Sequence, residues 1–194
     1  FHNIKIIKLN ILILKMPDKT LSTITPRKYQ QDIYENCKDK NCLIILPTGI
    51  GKTLLALMIS IHTQKKYPGT KTVFLAPTEL FAELTLFTGK INSKKRKSLW
   101  EKSDIIFSTP QCIENDLKKN IYNLSEVSLL IEDECHRCLK NYAYTFIAEK
   151  YKEQAENPQL LGLSASPGTD KETIKQIAQN LGIETIELRT RDSD

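Results

Sequence analysis

The octamer Leu46-Pro47-Thr48-Gly49-Ile50-Gly51-Lys52-Thr53 constrains this chain more than any other stretch. It follows a short apolar run, Cys42 to Leu46, that stops at Pro47-Thr48-Gly49, the pattern of a buried strand ending in a loop. It precedes Leu54 to His62, apolar nearly all round, as a helix packed on a sheet would be. A strand, a glycine loop and a helix in that order gather backbone N–H groups and the positive helix end around one point, which cradles phosphate oxygens. Lys52 adds a point charge for the outer phosphates, and Thr53 adds a hydroxyl for Mg²⁺. Leu46, Pro47, Thr48, Gly49, Ile50, Gly51, Lys52 and Thr53 are therefore the expected phosphate-loop contacts.

A second constellation lies downstream. The run Val127 to Ile131 leads into Glu132-Asp133-Glu134-Cys135-His136-Arg137, which puts a carboxylate pair at the end of a buried strand. In open parallel sheets ligands bind outside the carboxyl ends of the strands. Asp133 is expected to hold Mg²⁺ together with Thr53, and Glu134 to orient and deprotonate an attacking water. With Lys52 these two form the expected catalytic set.

Further strand-like runs are Thr72 to Ala76, Leu84 to Phe87, Asp104 to Ser108 and Leu160 to Leu163. Helical spacing falls at Pro26 to Lys38, Ile113 to Lys119, Tyr142 to Glu153 and Lys171 to Asn180. Strands alternating with helices predict an α/β fold whose mainly parallel sheet is covered on both faces. Only seven residues separate Ala76 from Leu84, too few for the dozen or so of a parallel crossover. Either those two strands are antiparallel neighbours or a segment is missing near Leu80-Phe81, and the second reading is preferred.

The chain has 194 residues, 40% of them hydrophobic, which suits one ordinary core. The formal net charge of +5 suits a polyanionic partner or an ordinary surface. Five cysteines, Cys37, Cys42, Cys112, Cys135 and Cys138, form no regular framework, so a disulfide-stapled secreted module is not expected. Cys135-x-x-Cys138 lacks a second ligand pair at zinc-finger spacing. Lys5 and Lys8 interrupt the apolar start, Phe1 to Lys15, which reads as an extra strand rather than a membrane span or signal peptide. No membrane partner is expected, and the compartment is expected to be cytoplasmic, or nuclear in a eukaryote.

Several stretches now add up to a known pattern. Asp133-Glu-Cys-His136 resembles the DEAD/H-box signature of superfamily 2 helicases, with Leu46 in place of the loop's first glycine and Cys135 in place of alanine. Thr25-Pro-Arg-Lys-Tyr-Gln30 resembles the adenine motif, Thr72 to Thr78 motif Ia, Phe87-Thr-Gly89 the backbone contact after it, Ser108 to Gln111 motif Ib, and Gly162 to Gly168 motif III. More narrowly, Thr109 to Leu117, Asn141 to Tyr144 and Asn180 to Glu184 look like archaeal Hef helicases and the Fanconi anaemia M-type translocases.

The resemblance implies a P-loop NTPase fold: the first RecA-like domain, a three-layer sandwich over 26–194, preceded by a 1–25 extension. It implies ATP and Mg²⁺ as ligands, with Gln30 on the adenine edge and Arg27 beside it. Pro77, Thr78, Thr88, Gly89, Thr109, Pro110 and Gln111 would contact a nucleic-acid backbone, while His136, Ser164, Ala165 and Ser166 would couple nucleotide state to strand movement. The basic run Lys94-Lys-Arg-Lys97 would add electrostatic affinity or be a solvated helix face. The expected function is an ATP-dependent DNA helicase or translocase motor in DNA repair, acting on forked or branched DNA with a second RecA-like domain of the same protein. The rivals are a Dicer-type or RNA-sensing duplex RNA translocase and an ATPase-inactive nucleic-acid-binding scaffold. A P-loop kinase or GTPase is disfavoured, because an adenine motif precedes the loop and no guanine-reading motif is visible.

Overall fold

A computed structural model describes residues 25–76, 86–87, 91–139, 142–165 and 171–190. In chain order the elements are α1 (Lys28–Cys37), β1 (Cys42–Ile45), α2 (Lys52–Lys66), β2 (Lys71–Leu75), β3 (Leu86–Phe87), α3 (Ser93–Lys102), β4 (Ile105–Ser108), α4 (Pro110–Lys118), β5 (Val127–Asp133), a 3-10 turn (Cys135–Leu139), α5 (Tyr142–Gln154), β6 (Leu160–Ser164), α6 (Lys171–Leu181) and β7 (Thr185–Leu188). The strands form one sheet in the order β3-β4-β2-β5-β6-β1-β7, and every pairing in it is parallel.

Two apolar clusters lie on opposite faces of this sheet. Leu43, Ile45, Val73, Leu75, Ile106 and Leu130 meet side chains of α3 to α6, among them Trp100, Ile113, Tyr144, Tyr151 and Ile177. The alternate strand residues Cys42, Ile44, Leu46, Phe74, Phe107 and Ile131 meet Ile33, Leu55, Ala56 and Ile59 of α1 and α2. Strands buried on both faces read as continuous apolar runs, which is why composition revealed β1, β2 and β5 so plainly. The α/β three-layer sandwich is therefore as expected.

The end of the sheet remote from the phosphate loop is stitched by side chains. Gln159, just before β6, donates its amide to the carbonyls of Cys37, Lys38 and Lys40 at 3.1, 3.1 and 3.2 Å. Its amide oxygen accepts from the Thr63 hydroxyl at 3.1 Å. The Tyr151 hydroxyl bonds both backbone groups of Gln159, and Asn41 Oδ1 accepts from the Leu160 N–H.

Four expectations change. The strand expected at Leu84 to Phe87 is described at Leu86–Phe87 and runs parallel to β4, so it is no antiparallel neighbour of β2; the Leu80-Phe81 junction lies outside the described residues, as does the 1–24 stretch. Strand β7 was not expected at all, and helix α3 only as one reading of the basic run Lys94 to Lys97. Cys37 and Cys42 are joined as a disulfide closing the α1–β1 turn, where no cystine was expected; their Cα atoms, 5.6 Å apart, flank a turn that Gln159 already holds. Arg96, in the middle of the basic run, is buried rather than solvated.

Candidate nucleotide and nucleic-acid site

The sheet's carboxyl edge collects most of the described candidate residues. Hydrogen-bonded register aligns Ile45 at the end of β1 with Ser164 of β6, and Leu163 with Asp133 of β5. The two halves of the proposed site are thus separated by one strand instead of being direct neighbours. That intervening strand ends in Ser164 and Ala165, two of the residues expected to couple them.

Left-handed backbone shapes the loop. Gly49 has φ 87° and Gly51 φ 101°, a region that favours glycine. At Gly49 a methyl group would meet open space, whereas at Gly51 it would lie 2.2 Å from the Gln30 amide nitrogen. Gln30 is buried, donates to the Ile50 carbonyl at 3.3 Å, and accepts from the Arg27 backbone N–H at 2.9 Å. Tyr29 donates its hydroxyl to the same Ile50 carbonyl at 2.5 Å. The motif expected to read adenine is therefore bonded to the loop expected to hold phosphate. Arg27 is exposed at the start of α1.

Lys52 folds its ammonium onto the loop's own Leu46 carbonyl at 2.9 Å. Partial burial lowers its pKa, while the charges of Asp133 and Glu134 act in the opposite direction. The lysine and the carboxylate corner therefore lie within electrostatic reach of each other. Asp133 is raised to about 6, first by burial and next by the neighbouring Glu134 charge, with Lys52 and the Glu134 backbone N–H opposing. Glu134 sits in the left-handed region at φ 54°, costly for a residue with a side chain. Its backbone N–H donates to Asp133 Oδ1 at 3.0 Å, which stabilises that turn. His136 Nδ1 lies 3.1 Å from Ser164 Oγ and 3.4 Å from Glu134 Oε2, so one imidazole spans the carboxylate corner and β6.

The Thr53 hydroxyl and the Asp133 carboxylate are oxygen donors of the kind that would suit a hard cation such as Mg²⁺. A cation beside Asp133 would favour its ionised form against the burial that opposes it. Among the described residues no three His, Cys, Asp or Glu side chains converge on one point; a cation that keeps several waters and phosphate oxygens needs few protein ligands.

On the other half of the edge, Thr109 precedes α4, Pro110 fills its first turn and Gln111 is exposed. Pro110 is buried at the first position of that helix, where a residue without an N–H is tolerated. Pro77, Thr78, Thr88, Gly89 and Ser166 lie outside the described residues. Cys135 and Cys138 are core residues: Cys135 packs against Gly162, where an added methyl would meet its sulfur at 3.2 Å, and burial pushes the Cys138 thiol up to about 12.

Two features were missed from the sequence. Arg96 of α3 makes paired bonds to the fully buried Asp116 of α4, Nε to Oδ2 at 2.6 Å, with Tyr122 donating to the same carboxylate at 2.9 Å. Glu132, read with its acidic neighbours, is completely buried, and neither carboxylate oxygen has a hydrogen-bond partner among the described residues. No local signal marks the first, because its partners lie 20 residues apart; the second could have been suspected from an acid continuing an apolar strand.

Residues 23–169 match the family model described as Type III restriction enzyme, res subunit. The chain belongs to this family. Its fold superposes on the crystal structure of the Pyrococcus furiosus Hef helicase domain with a TM-score of 0.81 and 45% identity, over 87% of this chain and 38% of that one. It is 38% identical, over 89% of its length, to a Methanocaldococcus jannaschii protein whose name suggests an ATP-dependent RNA helicase. It is 33% identical, over 86% of its length, to the mouse Fanconi anemia group M protein homolog. Its relatives are thus helicases of the Hef, Fanconi anaemia M and Mph1 type. The chain spans 24% of the Methanocaldococcus protein and 9% of the mouse one. No helix among the described residues is long and apolar enough to cross a membrane.

Proposed function

We propose that this chain is the ATP-binding motor half of an ATP-dependent DNA helicase or translocase acting on forked or branched DNA, completed by a second RecA-like domain. The observation that carries this reading is the convergence of Lys52, Asp133, Glu134, His136 and Ser164 at one sheet edge, in chemistry suited to a triphosphate. Relatives named as ATP-dependent DNA helicases support the substrate class.

In the proposed mechanism, loop amides from Gly49 to Thr53 hold the outer phosphates and Lys52 leaves the Leu46 carbonyl to pair with them. Thr53 and Asp133 would hold Mg²⁺, which when bound would neutralise charge on the phosphate oxygens. Glu134 positions a water in line with the terminal phosphate and takes its proton. His136, bonded to Ser164, senses whether Glu134 is engaged and passes that to β6. Thr109 and Gln111, with Thr78, Thr88 and Gly89, contact DNA phosphates, which positions a strand without reading its sequence.

Lys52→Ala tests the reading. Affinity for a fluorescent ATP analogue should fall at least tenfold, and DNA-stimulated hydrolysis by the full-length protein should disappear. Survival of both would leave a binding scaffold and end the enzymatic reading. The name of the Methanocaldococcus relative favours one second reading, an RNA translocase; greater stimulation by duplex RNA than by forked DNA would establish it.

A further inference from the structure

Among the described residues the lysines fall into two groups, paired and unpaired, and the exposed Lys40, Lys65, Lys102, Lys119, Lys171 and Lys175 belong with the unpaired. Lys28, Lys38, Lys66, Lys71, Lys118 and Lys150 each lie within ion-pair distance of a carboxylate. Lys94, Lys95 and Lys97 of α3 are exposed and have no ion pair among the described residues. Glu101, four residues beyond Lys97 on the same helix, makes none with it either. A solvated helix face usually intersperses the two signs so that neighbours neutralise each other. This one leaves three positive charges within four residues.

The fold also fixes where these charges point. Helix α3 packs with Arg96 and Trp100 inward. Arg96 grips Asp116 of α4, and Trp100 stacks on Tyr122 with ring centroids 3.9 Å apart. Lys94, Lys95 and Lys97 take the remaining directions around the helix, since residues at 100° intervals cannot share the face of Arg96. The strands preceding α3 and α4 end level with each other, Phe87 opposite Ser108. Asp116 lies six residues into α4, a rise of about 9 Å along that helix, and the Arg96–Asp116 pair sets α3 beside it.

We propose that the exposed face of α3 is a second docking strip for the nucleic-acid backbone, through Lys94, Lys95 and Lys97, held in line with the α4 corner by the buried Arg96–Asp116 pair. The argument is charge complementarity: an uncompensated cationic cluster stands on the helix next to a corner already read as a phosphate-contacting surface. Arg96 belongs to the scaffold of this strip, whereas the three lysines belong to its contact. The inference rests on the proposed function and extends the same surface outward.

The full chain is titrated onto a fluorescein-labelled oligothymidylate by anisotropy at 25–200 mM NaCl, alongside K94A/K95A/K97A and a control, K40A/K65A/K119A, that removes exposed lysines elsewhere. Each lost phosphate contact on a single strand reduces the slope of log affinity against log salt by about 0.7. The α3 triple variant should lose about 2 from that slope and bind at least tenfold more weakly at the lowest salt. Its melting temperature and ATP-analogue affinity should match the parent's, and the control should keep the parental slope. An unchanged slope for the α3 variant, or an equal drop in both variants, overturns the strip. Absence of oligonucleotide binding by the parent chain would overturn the proposed DNA-contacting surface as well.

Discussion

Replacing Glu132 by methionine should stabilise this protein, and more so as pH rises. The side chain follows Leu130 and Ile131 in β5, is completely buried, and has two carboxylate oxygens without partners among the described residues. Burial raises its pKa well above the usual 4.5, with only Lys152 opposing weakly. As a neutral acid it still buries a polar group without a hydrogen bond, at about 1–3 kcal/mol. A second cost depends on pH. For a carboxyl whose folded pKa is raised, the favourable side lies below the unfolded pKa; stability then falls by about 1.4 kcal/mol per pH unit until the folded pKa is passed. Methionine has similar volume and removes both costs, so a gain of at least about 2 kcal/mol at pH 7 is expected. For a chain of this size that is roughly 4–8 °C in melting temperature. Urea melts followed by circular dichroism at pH 5, 6, 7 and 8 measure the difference directly, and the pH dependence of every other group cancels between the two proteins. If the variant is less stable at pH 7, or its advantage is the same at all four pH values, the account of Glu132 as an unpaired buried acid is wrong.

Three further outcomes are expected. Gly51→Ala should lower ATP-analogue affinity far more than Gly49→Ala, because only Gly51 would press a methyl against the Gln30 amide while both carry the same left-handed strain; equal losses in equilibrium titration would remove the Gln30 contact from the explanation. Because Asp133 is raised to about 6, protons compete with Mg²⁺ there, and calorimetry should show Mg²⁺-dependent nucleotide affinity flat above that pH and falling up to tenfold per unit below it. Arg96→Met strands the Asp116 carboxylate inside the protein and should cost about 3–5 kcal/mol in denaturant melts; a loss below 1 kcal/mol would show that water reaches Asp116.

How far the sequence revealed this molecule depended on whether the signal was local. Leu46 to Thr53 announced itself because strand, glycines, lysine and helix are contiguous, and the buried strands did so because both faces are covered. Helix α3 was legible only as one reading of its basic run because Ser93 to Lys102 offers little beyond Leu99 and Trp100 as an apolar face; its inward side is completed by Arg96 and a carboxylate from another helix. Strand β7 escaped because Thr185 to Leu188 is a short edge strand with Ile186 and Leu188 half exposed. The position of Asp133, Glu134 and His136 was legible as a run of polar residue types after an apolar strand. That β6 runs between them and the loop is a matter of strand order, which no neighbouring residues encode.

The bonds from Gln159, Tyr151 and Asn41 lock the far ends of α1, β1, α2 and β6 to one another. Such a hem forbids the strands from slipping lengthwise, since any slip would strand several polar groups at once. Under the proposed function, nucleotide turnover at the opposite rim is then transmitted by pivoting and by loop or imidazole rearrangement above a rigid floor, with the stroke growing larger the farther a group stands from that seam.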